Sequence, residues 1–158
     1  MPLKHLFKAM LNWQSNKNAE KRYTKNHTLS FEGKSDLQVS AAKAFKGDPS
    51  LHNPEDLLLS SLISCHMMSF LYVCSLHQIN VIAYTDNAIG TLETDEKGSG
   101  RFVEVHLHPV VTIDNPEQIE LVNALHQKAN ELCFIANSCN FKVLHTATCN
   151  VGKNLTRS

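Results

Sequence analysis

A long uncharged stretch constrains this chain more than any other feature. Between Asp56 and Asp86 the sequence contains no Asp, Glu, Lys or Arg. Asn53 is a suitable N-cap, and Pro54 suits a first helical position because its missing N–H would be unpaired there anyway. The pattern therefore predicts a long central helix over 53–79. That helix is apolar on nearly all sides, so it must be wrapped by protein or by lipid.

Protein is the expected wrapping. The span 57–76 has the length of a transmembrane helix, but it contains five serines and a histidine. It also lacks flanking basic clusters and an aromatic belt. Fifteen basic and fifteen acidic residues cancel, so no charge pattern indicates binding to nucleic acid or to an anionic membrane surface. We expect neither a membrane nor a nucleic-acid partner.

Length and cysteine content indicate the broad class of protein. With 158 residues the chain is most simply a single domain, 1–158. Five cysteines are an odd number and too few for a disulfide scaffold. The first residues lack the apolar segment and the cleavage site of a signal peptide. We therefore expect reduced thiols and a cytoplasmic location.

Strand patterns flank the central helix on both sides. Before it, within 1–52, alternation and turn residues predict a meander of three strands, listed here by range: 7–15, 21–31 and 36–41. After it, within 80–158, the segments 80–94 and 101–113 predict one hairpin around a Lys-Gly-Ser-Gly turn.

A second helix and a last strand complete the pattern. Asp114 or Asn115 is expected to cap a helix whose apolar spacing continues to Leu132, and 141–151 is typical of a strand. The predicted fold class is α+β, with antiparallel sheets packed around the long central helix in the order βββ-α-ββ-α-β.

Two motifs carry a resemblance to a known family. The run Asn-Pro-Glu-Asp-Leu-Leu at 53–58 is followed by Cys65, ten residues after Glu55. The later segment Glu-Leu-Cys-Phe-Ile-Ala-Asn-Ser at 131–138 contains Cys133. Together they resemble the OsmC/Ohr family of peroxiredoxin-like, thiol-dependent organic hydroperoxide reductases. The resemblance implies an intertwined homodimer with two central helices between sheets.

The resemblance also implies a site and a reaction. Cys65 would be the peroxidatic thiol, Cys133 the resolving thiol and Glu55 a catalytic carboxylate. The implied activity is a peroxidase of the oxidative stress response, with an organic hydroperoxide as substrate and an external dithiol as reductant. No metal, flavin or haem is implied. From residue type alone, Cys65 could equally be a buried packing residue and Glu55 a helix-start charge.

One part of the family pattern is missing. The family usually supplies an arginine from the N-terminal half, which activates the cysteine and is held by the glutamate. The chain has only three arginines, Arg22, Arg101 and Arg157, and the loop before the helix offers Lys43 and Lys46 instead. Lysine lacks the bidentate guanidinium fork, so we assign no residue to the arginine role.

Helix geometry predicts a site shared between two subunits. Ten residues of helix separate Glu55 from Cys65 by about 15 Å along the axis. Two copies that cross near the small residue Ser60 around a two-fold axis would bring Glu55 of one copy to Cys65 of the other.

Two alternatives remain open from the sequence. A catalytically silent dimer could bind an apolar small molecule at its interface, and the missing arginine favours this reading. A zinc site built on Cys74 and His77 is also conceivable, although no second ligand pair has a recognisable spacing.

Overall fold

The computed structural model describes residues 1–15, 20 and 23–153. The chain divides into two compact units, Met1–Leu58 and Leu59–Ser158. The long helix α1 (Pro54–Leu76) begins in the first unit and continues into the second. Each unit is described separately below.

The first unit contains a three-stranded antiparallel sheet in the order β1-β2-β3. Its strands are β1 (Met10–Asn12), β2 (His27–Ser30) and β3 (Leu37–Val39), followed by a 3₁₀ turn at Lys43–Phe45. The predicted meander is therefore confirmed, with shorter strands than the alternation indicated. Lys21 and Arg22, at the start of the predicted second strand, lie outside the described residues.

Helix α1 begins as its sequence predicts. The Asp56 N–H donates to Asn53 Oδ1 at 2.9 Å, and the Asn53 amide donates back to the Asp56 carboxylate at 2.8 Å. These bonds satisfy an amide that the helix itself leaves unpaired. One face of α1 is buried and consists of Leu62, His66, Phe70, Val73 and Cys74.

The opposite face of α1 is open. Met68, Tyr72 and Leu76 are 58%, 58% and 63% exposed, and Ser60 and Ser64 are exposed before them. By length and composition α1 could span a membrane, but such a test is also passed by core helices of soluble proteins, and 33% of its apolar window is buried within the protein. The described protein therefore covers only one side of a helix that is apolar on nearly all sides.

The second unit contains two three-stranded sheets rather than one hairpin. Their strands are β4 (Val81–Thr85), β5 (Ile89–Thr94), β6 (Gly100–Leu107), β7 (Val110–Ile113), β8 (Lys142–His145) and β9 (Thr148–Val151). One sheet has the order β4-β7-β9 and the other β5-β6-β8. The strands β8 and β9 join as parallel partners of β6 and β7, so both sheets are mixed.

The single hairpin predicted from 80–94 and 101–113 is therefore wrong in detail, because each segment divides into two strands. Pro109 lies between β6 and β7, and proline has no N–H to donate to a sheet. Asp86 lies between β4 and β5, where its Oδ1 accepts the His108 N–H at 2.7 Å. The predicted final strand, 141–151, divides in the same way into β8 and β9.

Helix α2 (Ile119–Leu132) packs its apolar stripe into the core of the second unit. Asn115 begins a 3₁₀ turn at Pro116–Gln118, and its Oδ1 accepts the Glu117 N–H at 3.0 Å. The short helix α3 (Phe134–Asn137) follows directly after Cys133. The core of the second unit contains a cluster of buried apolar residues: Phe70, Val73, Cys74, Ile79, Val111, Ile113, Val122, Leu125 and Ala129.

The α+β class and the long central helix are confirmed. The sheets differ from the prediction in one respect, since antiparallel pairing is joined by two parallel pairs in the second unit. The predicted homodimer stays a prediction.

Candidate functional site

Cys65 lies on α1 at the edge of an apolar groove in the second unit. The groove has a volume of about 360 Å³ and is lined by Cys65, Met68, Ser69, Tyr72, Leu132 and Phe134. Cys65 is partly exposed, and Phe134 is 80% exposed. The groove therefore offers a thiol that a solute can reach, surrounded by side chains that favour an apolar group.

Cys133 lies at the junction of two helices. It ends α2 and is also the N-cap of α3, where its Sγ accepts the Ala136 N–H at 3.4 Å. The side chain is fully buried. Burial raises the pKa of the Cys133 thiol to about 11, and the neighbouring Cys65 acts in the same direction.

The fold brings Cys65 and Cys133 together although 68 positions separate them in the sequence. The two side chains are close enough for Cys65 to affect the pKa of Cys133, and both cysteines are free thiols. Such a pair has the chemistry of a dithiol that can close into a disulfide after oxidation of one sulfur. This contact is the central feature of the candidate site.

The other three cysteines have separate surroundings. Cys74 is buried in the core, where burial raises its thiol pKa to about 11 and the neighbouring Cys149 adds to that increase. Cys139 donates from its Sγ to the Ile135 carbonyl at 3.2 Å. Cys74, Cys139 and Cys149 are not among the residues that line the groove at Cys65.

Glu55 occupies the first turn of α1 and belongs to the first unit. Its Oε2 atom is buried and has no hydrogen-bond partner among the described residues. A buried carboxylate oxygen without a partner is costly, so this atom is a candidate to bind a group that the single chain does not supply.

No lysine or arginine is among the described residues that line the groove. Arg101 lies on β6 opposite Glu93. Arg22 and Arg157 lie outside the described residues. Lys43 and Lys46 lie in and just after the 3₁₀ turn of the first unit.

A buried histidine pair lies beside the cysteine pair and was not anticipated from the sequence. His66, next to Cys65 on α1, and His126 on α2 are both fully buried, with His66 Nε2 and His126 Nδ1 3.0 Å apart. The His126 ring stacks on Phe70 with ring centroids 4.0 Å apart. His145 packs 5.7 Å from His66 and 6.0 Å from His126, between ring centroids.

Burial keeps this pair neutral. It lowers the pKa of His66 to about 4 and that of His126 to about 3, and the neighbouring histidines add to both decreases. His66 Nδ1 and His126 Nε2 have no partner among the described residues. Their spacing from Leu62, Phe70 and Ala129 on the buried helix faces is the sequence signal that could have revealed them.

The zinc alternative gains no support from the described residues. Cys74 is buried, whereas His77 is exposed and lies beyond the end of α1. In the ranges 1–15 and 23–153, together with residue 20, no group of three or more His, Cys, Asp or Glu side chains is arranged to hold a metal ion.

Comparison with known proteins agrees with this architecture. The sequence model of a family described as OsmC-like protein matches residues 47–146. No curated protein matches the chain. Among solved structures, an OsmC-like protein of unknown function from Vibrio cholerae is 29% identical, with a TM-score of 0.79, and the match covers 91% of this chain and 99% of that one.

Two further solved structures share the fold at lower identity. An organic hydroperoxide resistance protein from Elizabethkingia anophelis is 18% identical, with a TM-score of 0.66 over 95% of this chain and 100% of that one. An organic hydroperoxide resistance protein from Legionella pneumophila is 19% identical, with a TM-score of 0.67 over 94% of this chain and 100% of that one.

Proposed function

Because the chain belongs to the OsmC-like protein family, we propose that it is a thiol-dependent peroxidase that reduces organic hydroperoxides to alcohols. The observation that carries this proposal is the contact between Cys65 and Cys133 at an apolar groove. The names of the relatives from Elizabethkingia anophelis and Legionella pneumophila support the same class of substrate.

The reaction proceeds in two chemical steps. The Cys65 thiolate attacks the peroxide O–O bond, which breaks; Cys65 becomes a sulfenic acid, and the departing alkoxide takes a proton to give an alcohol. The Cys133 thiolate then attacks the Cys65 sulfur, and hydroxide leaves and is protonated to water. An external dithiol reduces the resulting disulfide and restores both thiols. No metal, flavin or haem takes part.

The groove favours a hydroperoxide that carries an apolar group. Met68, Tyr72 and Phe134 present their side chains beside Cys65, and each is more than half exposed. An apolar substituent would bury these surfaces and contribute roughly 25 cal/mol for each Å² removed from water. Hydrogen peroxide has no such group and would gain nothing from the groove.

We further propose that the enzyme is an intertwined cytoplasmic homodimer. The open face of α1 carries the small residues Ser60 and Ser64, followed by exposed apolar side chains. Glu55 has a buried oxygen without a described partner. A second copy crossing α1 at Ser60 and Ser64 would bring its own Glu55 to the Cys65 of the first copy and would leave Met68 and Tyr72 beside the groove.

A second candidate function is a catalytically silent dimer that binds an apolar small molecule. The absence of a cation among the described groove residues favours it, because a thiolate needs stabilisation to be abundant at neutral pH. Turnover with an organic hydroperoxide separates the two functions. The silent protein would bind the compound and leave it unchanged.

The decisive experiment follows hydroperoxide consumption with a dithiol reductant. Wild type should turn over, whereas Cys65→Ser should fall to the rate without protein and keep its circular dichroism spectrum. Cys139→Ser is the matched control, because the Cys139 side chain donates to the Ile135 carbonyl and does not line the groove, and it should retain wild-type turnover. Peptide mapping after one equivalent of hydroperoxide should find a Cys65–Cys133 disulfide. Retained turnover in Cys65→Ser, or a different dominant bridge, contradicts the assignment.

A further inference from the structure

Met68 places a second sulfur in the groove, and the proposed reaction does not use it. Met68 follows Cys65 by three positions on α1, a spacing that puts two side chains on the same face of a helix with Cβ atoms about 5–6 Å apart. Both residues line the groove, and Met68 is 58% exposed. A solute that reaches the Cys65 thiol therefore also reaches the Met68 thioether.

The thioether is reactive without the activation that a thiol requires. A thiol must lose its proton to become a good nucleophile, whereas a thioether carries no proton and reacts as it stands. The described groove residues include no lysine or arginine, and the Met68 sulfur needs none. Met68 also shares the groove with Tyr72 and Phe134, and thioethers pack favourably against aromatic rings. The groove thus holds an apolar solute beside a sulfur that can be oxidised at neutral pH.

We propose that Met68 is a second oxidation site of the groove, at which a bound organic hydroperoxide converts the thioether to methionine sulfoxide. The inference takes its class of oxidant from the proposed peroxidase function, but oxidation of Met68 requires no turnover at Cys65. While the external dithiol is abundant, Cys65 consumes the hydroperoxide. Once the dithiol is exhausted, Cys65 is held in the disulfide, and Met68 is the remaining sulfur among the described groove residues.

The oxidation balances without another reactant. The Met68 sulfur attacks the terminal oxygen of the hydroperoxide, so that an S–O bond forms while the O–O bond breaks. The sulfur loses two electrons, and the hydroperoxide is reduced to an alkoxide. That alkoxide takes the proton that the terminal oxygen carried. The products are one alcohol and one methionine sulfoxide.

Oxidation of Met68 lowers the affinity of the groove for an apolar hydroperoxide. The sulfoxide is polar, and it replaces a flexible apolar side chain beside Tyr72, Leu132 and Phe134. An apolar substituent then loses part of the surface against which it packs. Methionine sulfoxide reductases reverse the change. The modification therefore reduces turnover reversibly after the reductant has been exhausted.

Met10 provides an internal control of nearly equal exposure. It is 60% exposed, against 58% for Met68, and it lies on β1 in the first unit. It is not one of the groove residues, and its own surroundings include the charged residues Lys8 and Glu32. An oxidant that acts on exposed sulfur without binding in the groove should therefore oxidise Met10 and Met68 at similar rates.

The first test uses Cys65→Ser, which keeps the groove but cannot consume the hydroperoxide. Cumene hydroperoxide and hydrogen peroxide are applied to separate samples. Peptide mass spectrometry with fragmentation, which distinguishes Met68 from its neighbour Met67, follows sulfoxide formation at Met68 and Met10. The ratio of the Met68 rate to the Met10 rate should be about tenfold higher with cumene hydroperoxide, the gain expected when roughly 60 Å² of apolar surface is buried in the groove.

Phe134→Ala, made in the Cys65→Ser background, tests whether the groove causes this selectivity. Phe134 is 80% exposed, so its loss should leave the fold intact, which circular dichroism checks. The substitution removes part of the apolar wall and should lower the ratio for cumene hydroperoxide by about threefold. Ile89→Ala is the matched control, because Ile89 is 64% exposed on β5 and does not line the groove, and it should leave the ratio unchanged.

The second test measures the effect on turnover. Wild type and Met68→Leu are treated with excess cumene hydroperoxide, reduced with a dithiol and assayed, and each protein is compared with its own untreated sample. The KM for cumene hydroperoxide should rise by about threefold in wild type and stay unchanged in Met68→Leu, because leucine cannot form a sulfoxide. Overoxidation of Cys65 would affect both proteins alike.

The outcomes separate this inference from the proposed function. Equal ratios for the two oxidants overturn the inference, and so does a ratio that Phe134→Ala leaves unchanged. An equal rise in KM in wild type and Met68→Leu overturns the effect on turnover. A high ratio in Cys65→Ser that falls in the Phe134→Ala variant supports the oxidation site, even if wild type reduces no hydroperoxide. In that last case only the peroxidase proposal fails.

Discussion

Two adjacent residues on α1, Cys65 and His66, begin two side-chain pairs that differ in burial and in access to solvent. Cys65 meets Cys133 at the end of α2, beside an open apolar groove. His66 meets His126 in the interior of α2, with no exposed surface on either ring. The helix turns about 100° between neighbouring residues, so Cys65 lines the groove while His66 faces the core.

The difference separates reactive groups from structural ones. The cysteine pair has one partly exposed member, a backbone N–H that donates to its buried sulfur, and room for a solute. The histidine pair is fully buried and packed against Phe70. We therefore expect the cysteines to determine turnover and the histidines to determine the free energy of unfolding and its pH dependence.

The largest expected effect on stability is that of His126→Ala. It removes a buried ring stacked on Phe70 and leaves His66 Nε2 without a partner, so the free energy of unfolding should fall by about 3 kcal/mol. Urea denaturation measures this loss. His77→Ala, at an exposed position, is the control and should stay within about 0.5 kcal/mol of wild type.

Hydroperoxide turnover per folded His126→Ala molecule should stay within about twofold of wild type, because His126 contacts the core rather than the groove. A tenfold loss of turnover with little loss of stability would contradict the structural role assigned to the histidine pair.

The next effect is a loss of stability in mild acid. The folded pKa values of His66 and His126 lie at about 4 and about 3, below the ordinary value of 6.5. Below pH 6.5, His66 and His126 therefore bind protons in the unfolded chain but stay neutral in the folded chain. Stability is complete above pH 6.5 and falls with pH toward 4. From pH 7 to 5 each histidine should account for about 2 kcal/mol.

Urea midpoints measured between pH 5 and 7 test this prediction. His145 contributes in the same direction, because burial lowers its pKa as well. His126→Ala should reduce the slope of unfolding free energy against pH by close to one proton. An unchanged slope in that variant would mean that His126 is already protonated in the folded protein.

The smallest effect concerns the proposed second copy. If Glu55 of one subunit serves Cys65 of the other, mixing inactive Glu55→Ala and Cys65→Ser subunits should restore roughly a quarter of wild-type activity, one intact pocket in four. Mass spectrometry must show that subunits exchange, and Glu55→Ala alone must be nearly inactive. If the subunits exchange and no activity returns, Glu55 of one subunit does not serve Cys65 of the other. The histidine pair, complete within one chain, should show no such complementation.

Local signals in the sequence were sufficient for α1, α2 and the first sheet, but not for α3 or for the two sheets of the second unit. Asn53 and Pro54 defined the start of α1, and the observed hydrogen bond to Asn53 Oδ1 confirms the cap. The hairpin was misplaced because alternation continues across Asp86 and Pro109, where the chain leaves one sheet for the other. Both residues are strand breakers, and they were the available signals.

The sites show the same limit. The motifs indicated Cys65 and Cys133 as a pair through resemblance, while their contact depends on how α1 and α2 pack. The histidine pair could have been suspected from the position of His66 on the apolar face of α1. Its partner, sixty positions away, is fixed only by tertiary structure.

The parallel pairings have a consequence for how the chain is made. Strand β8 completes one sheet of the second unit and β9 completes the other, and both come from the ten residues at 142–151. During synthesis at roughly 5–20 residues per second, neither sheet can acquire its third strand until this segment has left the ribosome. Completion of both sheets therefore depends on one short segment. Before that segment is synthesised, the edges of β6 and β7 are open to pairing with other nascent chains.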